Sequence, residues 1–104
     1  MNSRHDLQVV LEEAIGSQYV ENVYYQPPAS VRMSYPAIKY ERSDIGNVSA
    51  DNGIYKQTHH YTITVIDKNP ESQIVETVSR IPTIRYSRHY FADNLNHDVF
   101  EIYY

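Results

Sequence analysis

The sequence predicts an α+β fold: an antiparallel β-sheet with two helices packed on one face and one long hairpin loop. Three observations carry this. Tyr55–Asp67 (YKQTHHYTITVID) is the longest run of strand-forming residues, with Tyr61, Ile63 and Val65 alternating against Thr62, Thr64 and Ile66. That is period two, built from aromatic and β-branched side chains. Two other segments carry a helical stripe instead. Two pairs of strand-like segments are each joined by Asn/Asp-rich polar residues, which reads as two hairpins. Helices on one face of an antiparallel sheet are the economical two-layer solution.

Taken in order, residues 3–15 read as the first helix. Ser3 is the expected N-cap, with Asp6 three residues on. Leu7, Val10, Leu11, Ala14 and Ile15 form the stripe, and Gly16 is the expected stop. Residues 22–26 (NVYYQ) make a short strand that Pro27 and Pro28 end. A second strand is expected over residues 31–42. Pro36 inside it implies an edge strand or a break at that point. Residues 43–53 (SDIGNVSADNG) read as the long loop. It is either a floppy tip or an arm that docks on a neighbour through Ile45, Val48 and Ile54. Tyr55–Asp67 then takes the centre of the sheet, since a strand this long needs partners on both edges. Its apolar Ile66 implies that its second face is partly covered. Asn69 is expected to cap the second helix with Pro70 at its first position. Ile74, Val75, Val78 and Ile81 form that helix's stripe, and Pro82 closes it. Residues 83–91 give a strand, residues 92–96 (ADNLN) a turn, and residues 97–104 the last strand.

Composition sets the limits. A chain of 104 residues implies one domain, residues 1–104. The net charge of −4 argues against tight duplex-DNA binding, which needs clustered Lys and Arg. With no cysteine there is no disulfide framework and no thiolate zinc site. No apolar run approaches the ~20 residues of a membrane helix, so no membrane partner is expected. The first residues, MNSRHDLQ, lack the apolar core of a secretory signal. Tyrosine occurs 11 times, against two Phe and no Trp. Tyr either fills strand positions or marks subunit interfaces, where one side of the ring is dry and the other wet.

No catalytic set stands out, so the expectation is that the protein is not an enzyme and takes no cofactor. No serine lies in a G-x-S-x-G turn, and there is no phosphate-binding loop or dinucleotide fingerprint. His59 and His60 are adjacent in a strand and point to opposite faces. His89, Asp93, His97 and Asp98 gather around the last turn. Nitrogen and oxygen donors of that kind hold divalent metals, but their spacing matches no zinc signature and turns ordinarily contain Asp and Asn. A small metal-dependent enzyme or binder built on His89, Asp93 and His97 is the distant alternative.

Several stretches taken together resemble a family. They are Val23-Tyr24-Tyr25-Gln26-Pro27-Pro28, Tyr35-Pro36 with Tyr40-Glu41-Arg42, the run Tyr61 to Asp67, and Arg88-His89-Tyr90 followed by Ala92-Asp93-Asn94-Leu95-Asn96-His97-Asp98-Val99-Phe100. Over residues 20–104 the chain resembles the small neck and tail-completion proteins of long-tailed bacteriophages, of the tail-terminator type. The resemblance implies a structural virion protein that assembles in the host cytoplasm and resides in the neck. It implies a homo-oligomeric ring, a hexamer in this family, that halts growth of the tail tube and joins it to the head-side connector protein. DNA passes through the lumen without sequence readout, and an acidic lumen would repel its phosphates. The nearest alternative is another neck ring, a head-completion or stopper protein. The expected subunit-interface residues are Tyr24, Tyr25, Ile45, Val48, Ile54, Tyr55, Tyr103 and Tyr104.

Overall fold

The structure, a computed structural model, describes residues 4–49 and 55–103, with residues 44–49 and 55–59 described as backbone only. Helix α1 spans Arg4–Ile15 and leads through a 3₁₀ segment, Ser17–Asn22, into strand β1, Val23–Tyr25. Strands β2 (Ala37–Ser49) and β3 (Tyr55–Asp67) form a hairpin. Helix α2 (Gln73–Ser79) follows, then a second hairpin of β4 (Ile84–Ala92) and β5 (Leu95–Tyr103). The strand order across the sheet is β1-β2-β3-β5-β4, so β3 is central. Every neighbouring pair is antiparallel except β1 and β2, which run parallel. The expected α+β class therefore holds, with one parallel pair at the β1 edge. Parallel pairing requires the chain to return to the starting end of β1, which the connector from Gln26 to Pro36 does.

The core lies between the helices and one face of the sheet. Leu7, Leu11 and Ile15 of α1 and Ile74 and Val78 of α2 meet Val23, Ile38, Tyr40, Tyr61, Ile63, Val65, Phe100 and Ile102. Burying a large apolar side chain contributes roughly 1.5–3 kcal/mol. The outer stripe positions Val10, Ala14, Val75 and Ile81 are only half-buried. On the opposite, open face, Ala37, Thr64, Ile66 and Val99 are nonetheless buried. The covering expected at Ile66 is present.

Four expectations are corrected. Strand β2 begins at Ala37, not at residue 31. Pro36 has no N–H to give the ladder, and the break is the outcome at this point. β2 is also interior along its first residues, because β1 covers its outer side. Second, residues 43–49 are strand, not loop: Ser43 is the bulged residue between Arg42 and Asp44, and residues 44–49 pair by backbone with residues 55–60. Ladder bonds use main-chain groups, so a polar sequence facing strand formers is carried along. Third, α2 is capped by Ser72, whose hydroxyl accepts from the Ile74 amide at 3.2 Å. Asn69 and Pro70 lie in the turn before it. Asp67 Oδ1 accepts from the Asn69 amide and Asn69 Oδ1 from the Glu71 amide, two successive side-chain turns that delay the helix. Fourth, the last turn has only Asp93 and Asn94 at its centre, at φ 54° and 63°. Leu95 and Asn96 belong to β5. Left-handed residues at both central positions match the twist of a two-residue hairpin. The expected cap Ser3 lies outside the described residues.

Candidate assembly interface

The register decides which expected interface residues share a surface. β3 pairs with β5 only from His60 (against Tyr103) to Asp67 (against Asn96). β2 and β3 continue beyond that limit, with Asp44 opposite His60 and Ser49 opposite Tyr55. The first hairpin is therefore a two-stranded ribbon projecting past the sheet. The long axis of the molecule, 51 Å against 25 and 23 Å, reflects it. Ile45 and Val48 lie on the first strand of this arm and Tyr55 on the second. Ile54 and Tyr104 fall outside the described residues.

Tyr24 and Tyr25 separate to the two faces of β1. Tyr25 turns toward the helices: its ring centre is 4.9 Å from that of Tyr40, and the Arg4 guanidinium sits 4.6 Å above it. It fastens α1 to the sheet within the subunit. Tyr24 is half-buried on the open face, and its hydroxyl accepts from the Ser34 amide at 3.2 Å. Tyr103 is exposed and stacks on His60, with centroids 4.6 Å apart. His60 Nε2 lies 3.3 Å from Glu101 Oε1, and the Ser43 hydroxyl donates to the His60 carbonyl at 3.0 Å. The base of the arm is thus tied to β5.

The aromatic residues most open to solvent are on β4, and sequence reasoning passed over them. Tyr86 is 54% and Phe91 63% exposed, with Tyr90 less so. Tyr86 packs edge-on against Phe100 at 5.2 Å and donates its hydroxyl to Asp98 at 2.9 Å. Burial of the phenol, and then the Asp98 carboxylate beside it, raise the Tyr86 pKa. On the open face Tyr90 stacks on His97 at 4.5 Å, and the Arg88 guanidinium lies 5.6 Å from the Tyr90 ring. β4 is a sheet edge, so its outer backbone groups meet no strand among the described residues. The signal was in the sequence as IRYSRHYFA, but only the strand order shows that it borders solvent.

The histidine cluster does not converge. His89 sits opposite Asp98 and His97 opposite Tyr90, which sends their side chains to opposite faces. His89 Nε2 donates to Asn96 Oδ1 at 3.1 Å, and His97 Nδ1 to the Leu95 carbonyl at 3.1 Å. Among the described residues no group of three or more His, Cys, Asp or Glu is placed to hold a metal. A hollow of about 70 Å3 on the open face is lined by Gln26, Pro27, Lys39, Glu41, Thr62 and Thr64. Small-molecule sites run to about 300–1,000 Å3. A wider one of about 430 Å3 beside α2 has Glu71, Glu76 and Asp98 on its walls. Its serine, Ser72, is occupied as the helix cap. Among the described residues no helix is long and apolar enough to cross a membrane.

The chain matches no protein-family model and no curated protein.

Proposed function

We propose that this protein is a structural ring component of a phage neck, terminating the tail tube and joining it to the head connector. The observation that carries the proposal is the Asp93–Asn94 hairpin block, ADNLNHDVF, with the flanking Arg88-His89-Tyr90, which resembles the terminator family. The geometry supports it in two ways. The β2–β3 arm extends past the sheet, and a lone two-stranded ribbon is marginal in water, so docking against a neighbour would stabilise it. The exposed aromatics of β4 and Tyr103 are of the type that anchors subunit contacts. In this reading copies of the chain close a ring in the virion neck, touch the tail tube protein on one side and the head-side connector on the other, and let DNA pass.

The test is electron microscopy of the purified protein mixed with tail tubes and, separately, with portal-side rings. The expected result is density at one end of each tube and an arrest of tube growth. Binding to portal-side rings with tube ends left bare would assign the chain to the neighbouring head-completion or stopper ring instead.

A further inference from the structure

We propose that successive copies of this chain join by sheet extension, β4 of one copy pairing with the outer edge of residues 43–49 of the next. The proposal rests on the ring reading for closure but names a contact that reading leaves open. Among the described residues four strand edges lack a partner strand, those of β1 and β4 and the outer edges of both strands of the arm, and two of these carry opposite charge. One is the outer edge of β4 along Ile84–Ala92. The other is the outer edge of β2 beyond β1, whose pairing stops at Tyr40; past it, the Arg42 amide is taken by the Gln26 side chain and the pairing of residues 43–49 is all with β3. Free edges are templates for another strand unless they are blunted. β4 has no Pro or Lys, and its one irregularity is the bulge at Ser87.

Charge selects the occupant. β4 contains Arg85, Arg88 and His89 and no acid, while residues 43–49 contain Asp44 and no base. Pairing β4 with β4 would bring together two strands that each carry two arginines and no acid. Pairing residues 43–49 with the same residues of a second copy would bring together two strands that each carry an acid and no base. Like charges across a strand pair destabilise it and opposite charges favour it. The combination that satisfies both edges is head-to-tail, the heterologous contact that closes rings. Tyr86 and Phe91 on β4 are more than half exposed and Tyr90 partly so, which leaves aromatic surface for the incoming strand to cover.

Sedimentation velocity and amide hydrogen exchange on the full chain test this. The wild type should self-associate with concentration, and amides of Ile84–Ala92 and of residues 43–49 should both exchange more slowly in the assembly than in dilute monomer. Arg88→Glu alone and Asp44→Lys alone, each checked for folding by circular dichroism, should weaken association about tenfold. An equimolar mixture of the two variants should regain it, because each carries the edge that complements the other. An assembly in which both segments exchange as fast as in the monomer, or in which mixing restores nothing, overturns sheet extension while leaving the ring standing. A chain that stays monomeric at every concentration and on tail tubes overturns both.

Discussion

Tyr40 shows how a single phenol is held. It is buried beneath α1, accepts from Arg4 Nη1 at 3.0 Å and donates to the Gln8 side chain. Burial raises its pKa above the ordinary 10.0, Arg4 opposing, and the neighbouring Tyr61 is raised by burial too. The folded state therefore keeps these protons at a pH where the unfolded chain has released them. Their contribution is complete below pH 10 and is lost as pH climbs from about 10 through the raised values. Tyr40→Phe should cost about 0.5–1.5 kcal/mol at neutral pH through its lost hydrogen bonds. It should also flatten the fall in stability above pH 10, measured by urea denaturation across pH 8 to 11. A variant that falls as steeply as wild type would show that Tyr40 is not the alkaline trigger. Leu11, with no exposed surface, is the simpler case: Leu11→Ala should cost about 2–5 kcal/mol by the same measurement.

The β4–β5 hairpin is where one element can be tuned by its turn. Asp93 and Asn94 both hold left-handed backbone, which Asn tolerates and β-branched residues resist. Asn94→Gly should leave the melting temperature unchanged or higher, whereas Asn94→Val should lower stability by about 1–2 kcal/mol. Equal stabilities would mean that the turn does not set the register. What the sequence made legible at this scale followed from periodicity. The stripes of α1 and α2 were readable, as was the central place of β3, because burial on one face forces residue spacing. What it hid depended on partners distant in the chain. The polar run 43–49 reads as loop by composition and becomes strand because residues 55–60 are there to pair with it. The exposed rings of Tyr86 and Phe91 look like ordinary strand residues until β5 is seen to separate β4 from β3. His89, Asp93 and His97 look like one cluster until the hairpin register divides them.

At the scale of the whole molecule, the proposed ring role turns on the projecting arm. Ile45 and His59 are register partners, so replacing residues 46–58 with Asn-Gly closes the hairpin with a two-residue turn and removes the rest of the arm. This variant should keep the α1, α2 and sheet core, and hence its cooperative unfolding, yet fail to arrest tube growth. Tyr55→Ala should weaken the same function without unfolding the subunit. Tail-length distributions from an assembly reaction decide the matter: tails of normal length that still join heads would remove the arm from the interface.

The position of β5 has a consequence for how the subunit is made. It follows β4 in the chain, yet it lies between β3 and β4, and among the described residues β4 reaches the rest of the sheet only through it. During synthesis β4 has no partner until β5 has left the ribosome. Joining β5 to β3 then closes contacts between residues far apart in sequence, such as His60 with Tyr103, and such closures are the slow ones. A nascent chain would therefore finish its helices and first hairpin early and acquire a fixed β4 edge late. Polysome-bound chains would lack a formed β4 edge to offer one another, so the sheet extension proposed above would wait until β5 has emerged.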